Sequence, residues 1–236
     1  MMEKTALVTG GARGIGAAIC RALTADGWNL RIHYHTSEQQ AQALAAELGC
    51  SAIRADVRNL ADVQAMFQTA GPIDLLVNNA GISTYGLFPD MSPAVWRDLF
   101  AVNVDGVFHC TQCALPHMFR EKRGGIINVA SIWGITGASC EAAYAATKAA
   151  VIGLSKSLAK ELGPSGIRVN CIAPGAIQTE MLAVLTPEDL AEIRAETPLG
   201  TLGTPEDVAH LVSYLASEQA RFVTGQVISP NGGLMI

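Results

Sequence analysis

The chain has 236 residues, half of them hydrophobic, and a formal charge of −5 at pH 7. That length suits one α/β domain, residues 1–236, with a substantial core, and the acidic balance excludes a nucleic-acid surface, which needs clustered Lys and Arg. No apolar run persists for the ~18 residues of a membrane span, and Met1-Met2-Glu3-Lys4 leaves no room for a signal peptide before Thr5, so a cytoplasmic protein is expected.

Short apolar runs predict strands at 5–9, 30–34, 52–55, 73–77, 126–130, 168–172 and 226–229. Helical periodicity falls between them, at 14–26, 37–48, 59–69, 93–120, 143–162 and 205–217. Strict alternation demands parallel strands joined by right-handed crossovers, hence a doubly wound sheet covered on both faces. Residues 179–203 break the pattern with Pro187, Pro198 and several acids, and carry helical pieces near 181–184 and 187–195. An insertion there reads as a mobile lid over a substrate.

At the first strand-to-helix junction stands Thr9-Gly10-Gly11-Ala12-Arg13-Gly14-Ile15-Gly16. A glycine-rich turn in that place lets backbone N–H groups approach a pyrophosphate on the helix N-terminus. The second strand ends His33-Tyr34-His35-Thr36-Ser37, with no acid before Glu38 to hold a ribose hydroxyl. That gap, together with the Arg13 guanidinium, favours a 2′-phosphate and hence NADP(H). His33 and His35 read as solvent-facing, with no role beyond accommodating that phosphate.

The six cysteines are scattered, as suits reduced thiols. Cys110 and Cys113, beside His109, form a CxxC inside a helix rather than at its start, which predicts packing instead of a redox or metal site. Arg120-Glu121-Lys122-Arg123 reads as a solvated helix end.

Further along come Asn78-Asn79-Ala80-Gly81, Asn103, Ser131 at the end of a strand, and Pro174-Gly175-Ala176-Ile177-Gln178-Thr179. Tyr144 and Lys148 lie four apart on a predicted helix, which stacks phenol and ammonium on one face. A fixed ammonium favours phenolate, so the pair is expected to lower a phenol pKa from ~10 and make a proton donor.

In this order these segments resemble the short-chain dehydrogenase/reductase family over essentially the whole chain. Within it the chain is similar to the 3-oxoacyl-[acyl-carrier-protein] reductases, including Pro205-Glu206-Asp207 and Asn231-Gly232-Gly233. The resemblance implies strand order 3-2-1-4-5-6-7 and a homotetramer built partly from the helices starting near Pro93 and Ala143. It makes Tyr144 the proton donor, Ser131 the partner of the substrate carbonyl, Lys148 the ligand of the nicotinamide ribose, and Asn103 the holder of a water linking Lys148 to solvent. Asp56 and Val57 would flank adenine; Gly10, Arg13, Gly14, Ile15, Gly16, His35, Thr36, Asn78, Ala80, Gly81, Pro174, Gly175, Ile177 and Thr179 would complete the cofactor site.

The chain departs from the carrier-protein reductases at Trp133, where they have a smaller residue, at Glu141, where they have Gln, and at Ser165, where they often have Arg. Arg120, Lys122 and Arg123 could still meet an acidic acyl carrier protein. The loop from Ser131 to Tyr144 is similar to a subgroup that reduces the 5-aminopentanone modification on elongation factor P, which makes Trp133 and Glu141 candidate substrate contacts. A non-catalytic NADP-binding regulator is the alternative from another class.

Overall fold

The computed structural model describes residues 4–236; the expected leaderless start, Met1-Met2-Glu3, lies outside them. Seven strands form one parallel sheet: β1 (Thr5–Val8), β2 (Asn29–Tyr34), β3 (Ser51–Arg54), β4 (Leu75–Asn78), β5 (Gly124–Val129), β6 (Ile167–Ile172) and β7 (Val227–Ile228). Their order is 3-2-1-4-5-6-7, as the resemblance implied. Val8 lies beside Ile32 on one flank and Val77 on the other, so the central strands are buried on both faces.

Helices cover both faces. Alternate strand residues point to opposite sides: Ala6, Val8 and Ile32 pack with Ile19 and Leu23 of α1 (Gly14–Ala25) and with Val208, Val212 and Leu215 of α9 (Pro205–Ala216). Leu7, Leu76 and Ile126 face the other way, onto Val63 and Met66 of α3 (Leu60–Ala70) and Cys110 and Met118 of α5 (Gly106–Glu121). The remaining helices are α2 (Glu38–Leu48), α4 (Pro93–Phe100), α6 (Trp133–Thr136), α7 (Ala142–Leu162) and α8 (Pro187–Glu196). Thr204 and Asp207 form a reciprocal capping box that fixes where α9 starts.

The helix expected over 93–120 is broken. A π turn, Ala101–Asp105, separates α4 from α5, and the extra residue it inserts turns Asn103 inward to 1% exposure. Cys110 is buried in α5 with its thiol pushed up to about 12 by burial, and Cys113 packs against the same cluster. Residues 179–203 leave and rejoin the sheet at one point. Gln178 N donates to Gly203 O at 2.8 Å and Gly203 N to Ala176 O at 3.0 Å, so the excursion is pinned at both ends. Among the described residues no helix is long and apolar enough to cross a membrane.

Candidate active site

All the catalytic candidates come from the carboxyl ends of strands or the helices that follow them, where an open α/β sheet places its ligands. Ser131 leaves β5, and its Oγ accepts a hydrogen bond from Trp133 N at 3.2 Å, which starts α6. Tyr144 and Lys148 share one face of α7. Both are buried, and Lys148 Nζ sits 5.6 Å from the tyrosine ring centre while donating to Val129 O at 2.9 Å. Ser131, Tyr144 and Lys148 line the same cavity.

Burial pushes the Tyr144 phenol up to about 12; the Ser131 hydrogen bond pulls it down and the Glu141 charge raises it further. The net shift is upward, against the expected lowering, because burial outweighs the Lys148 ammonium, which is turned to the Val129 carbonyl. Burial in turn brings Lys148 down to about 8, which leaves it mostly cationic at neutral pH. The tyrosine therefore stays a phenol, as a proton donor must.

Asn103 Oδ1 accepts from Ile82 N at 2.9 Å, while Nδ2 donates to Ile82 O and to Thr147 Oγ1 at 2.9 and 3.0 Å. Thr147 Oγ1 in turn donates to Tyr144 O at 2.7 Å, so the π turn and α7 are tied together. Gly81 keeps the space between them open. A Cβ there would lie 3.3 Å from Asn103 Oδ1 and 3.4 Å from Lys148 Nζ.

Ser131, Tyr144 and Lys148 line a chamber of about 540 Å³ whose other walls include Trp133, Glu141, Pro174, Gly175, Ile177 and Thr179. Met181, Leu182, Leu185 and Ile193 of the 179–203 segment roof it. Glu141 precedes α7; burial raises its carboxyl and a hydrogen bond with the Trp133 side chain lowers it. A second groove of about 500 Å³ holds Gly10, Arg13, Gly14, Gly16, His35, Thr36, Asp56, Val57 and Ala80. The two cavities share Ile15, Asn79, Gly81, Thr179 and Met181, which makes one elongated cleft.

That cleft fits a dinucleotide. The glycine loop is compact because Gly16 has no side chain: a Cβ there would stand 2.2 Å from Gly10 O. Gly10 and Gly14 adopt left-handed φ of 61° and 48°, which glycine takes without strain. The free N–H groups of α1 then face the groove. Asn79 Nδ2 braces the loop by donating to Thr9 O and Gly10 O at 3.0 and 3.1 Å.

Two placements differ from the sequence reading, and two guanidinium contacts add to it. Asn78, expected as a cofactor contact, has its side chain turned into the core, where Nδ2 donates to Asn128 Oδ1 at 2.9 Å; its neighbour Asn79 faces the groove instead. Arg13 Nη1 lies 2.5 Å from Glu180 Oε2 of the 179–203 segment. A second guanidinium, Arg58, lines the groove and is held by Asp56 and Asp98 at 2.6 and 2.7 Å. Its position two residues after Asp56 was the one available signal.

The second differing placement is His33, which is 1% exposed rather than solvent-facing. Its Nδ1 accepts from Gly10 N at 3.1 Å and its Nε2 donates to Ala55 O at 3.2 Å, so the ring joins the glycine loop to the end of β3. Burial lowers its pKa from 6.5 to about 4. The unfolded chain then binds the proton more readily, so His33 contributes stability that is intact above pH 6.5 and is lost as pH falls toward about 4. The slope approaches ~1.4 kcal/mol per pH unit. Denaturant midpoints measured across that window should fall for the wild type and change less for His33→Asn, which keeps a donor and an acceptor but does not titrate.

The comparisons agree with this geometry. Residues 10–235 match the family model described as Enoyl-(Acyl carrier protein) reductase. The chain is 42% identical to an "Uncharacterized oxidoreductase YmfI" of Bacillus subtilis (strain 168), over 98% of this chain and 99% of that protein. It is 41% identical to the 3-oxoacyl-[acyl-carrier-protein] reductase FabG of Staphylococcus aureus (strain Mu50), over 99% and 98%. An acetoacetyl-CoA reductase of Rhizobium meliloti (strain 1021) is 42% identical over 98% of each chain. With a Rossmann-like sheet in the order 3-2-1-4-5-6-7, a cleft shaped for a nicotinamide dinucleotide and relatives matched from end to end, the chain belongs to the short-chain dehydrogenase/reductase family of oxidoreductases.

Proposed function

We propose that the chain is an NADPH-dependent reductase of 3-oxoacyl groups carried on an acyl carrier protein, giving a secondary alcohol. The observation that carries this is the meeting of Ser131, Tyr144 and Lys148 at one wall of a chamber continuous with the glycine-loop groove. NADPH bound in the cleft supplies the hydride. Ser131 Oγ hydrogen-bonds the ketone oxygen, and Tyr144 gives its phenolic proton to that oxygen as negative charge develops there. Lys148 would hold the nicotinamide ribose, and its charge would stabilise the phenolate left behind. Asn103 faces the space over Gly81 and positions the water that returns a proton to this pair. NADPH oxidation with acetoacetyl-CoA tests the reading, and an enzyme inert toward every 3-oxoacyl thioester would refute it.

The 2′-phosphate would meet Arg13, and neither Thr36 nor His35 places a carboxylate against it. The chain acts as a single domain with 179–203 as the substrate lid, in the cytoplasm. It assembles as a homotetramer through α4, α5 and α7; Val95, Trp96 and Phe108 are apolar and exposed on the first two. A non-catalytic NADP-binding regulator has no support from a site with its tyrosine, serine and lysine together.

A second reading, reduction of the aminopentanone on modified elongation factor P, is favoured by Glu141 and Trp133 inside the chamber. A half-buried carboxylate and an indole face each attract an ammonium, worth about 0.5–2 kcal/mol for the cation–π contact and a similar amount for the ion pair. Glu141→Gln should therefore cost tenfold or more in kcat/KM on an amino-ketone and leave acetoacetyl-CoA reduction unchanged or improved. Equal effects on both substrates would return Glu141 to a loop role and leave the acyl-carrier reading in place.

A further inference from the structure

The cofactor loop and the lid are joined by one ion pair across 167 residues of sequence, Arg13 with Glu180. Arg13 precedes α1 with an extended backbone and makes no capping hydrogen bond of its own. Glu180 begins the 3₁₀ turn Glu180–Val184, and the next two residues, Met181 and Leu182, roof the ketone chamber. Thr179 packs on the same loop, with its methyl 3.3 Å from where a Cβ on Gly14 would stand. Arg13, Thr179, Glu180 and Met181 all line the adenosine groove.

We propose that Glu180 is a specificity-determining residue: its carboxylate occupies Arg13 until a 2′-phosphate displaces it, and this exchange frees the first turn of the lid. The inference rests on the NADPH reading of Arg13. The side chains of the pair are 50% and 74% exposed, so the contact is a weak, exchangeable one of at most about fivefold in equilibrium. A phosphate carries more charge and more acceptor oxygens than a carboxylate, and it binds a guanidinium in two-pronged fashion. NADH offers only a 2′-hydroxyl, which cannot take Arg13 from Glu180. The lid then stays fastened to the loop. Glu180 therefore costs NADPH affinity, through competition and through repulsion of the phosphate, and costs NADH nothing.

The test is a cycle of dissociation constants for NADPH and NADH, read by nucleotide fluorescence on wild type, Glu180→Gln, Arg13→Ala and the double variant. No ketone is needed, so the result does not depend on the physiological substrate. Glu180→Gln should tighten NADPH by about three- to tenfold and leave NADH within twofold, and the gain should vanish in the Arg13→Ala background. A Glu180→Gln effect equal for the two nucleotides, absent, or persisting without Arg13 would overturn the proposal. If Arg13→Ala fails to weaken NADPH relative to NADH, the NADPH reading itself falls. If it does weaken NADPH but Glu180→Gln changes nothing, only the role of Glu180 falls.

Discussion

Replacing Tyr144 by Phe should lower kcat by at least ~10²-fold while NADPH still binds. The substitution keeps the ring, which is buried in the wall of the chamber that Ser131 also lines, and removes only the hydroxyl. That loss corresponds to roughly 2.7 kcal/mol of transition-state stabilisation, the lower end of what a positioned acid contributes. Because burial pushes the phenol up to about 12, it is fully protonated at working pH. Steady-state kinetics with acetoacetyl-CoA, alongside NADPH fluorescence titration, measures both quantities. A variant that keeps most of its kcat would move the acid role to another group.

Arg13→Ala should raise the NADPH KM by one to two orders of magnitude and leave the NADH KM almost unchanged. A hydrogen bond to a charged group contributes about 1.5–3 kcal/mol, and the phosphate exists only on NADPH. Arg58, already bound to Asp56 and Asp98, is the other guanidinium of the groove and is not free to substitute. An unchanged ratio of kcat/KM for NADPH over NADH would mean that Arg13 does not select the cofactor.

The architecture was legible because apolar runs and helical periods alternate without interruption, and because the Gly10 to Gly16 turn falls at the first junction. The errors have separate physical causes. A π turn adds one residue without disturbing the apolar spacing of Leu99, Val107 and Cys110, so 93–120 looked continuous; buried Asn103 in its middle was the only sign. His33 was read outward because it is polar, yet a central strand of a parallel sheet has no solvent face, and its two nitrogens are satisfied by backbone. Asn78 and Asn79 differ only in which way a strand end points, and composition does not contain that. The pairing of Arg13 with Glu180 is a contact between distant segments, which no local pattern encodes.

Hydride is expected to pass from a nicotinamide to a ketone carbon beside Tyr144. NADPH carrying deuterium at the transferable position of its nicotinamide, incubated with enzyme and acetoacetyl-CoA, tests this directly. Mass spectrometry of the product should show one deuterium on the new carbinol carbon with the wild type and almost none with Tyr144→Phe. Oxidation of NADPH without label in a secondary alcohol, or equal labelling by both proteins, would contradict it.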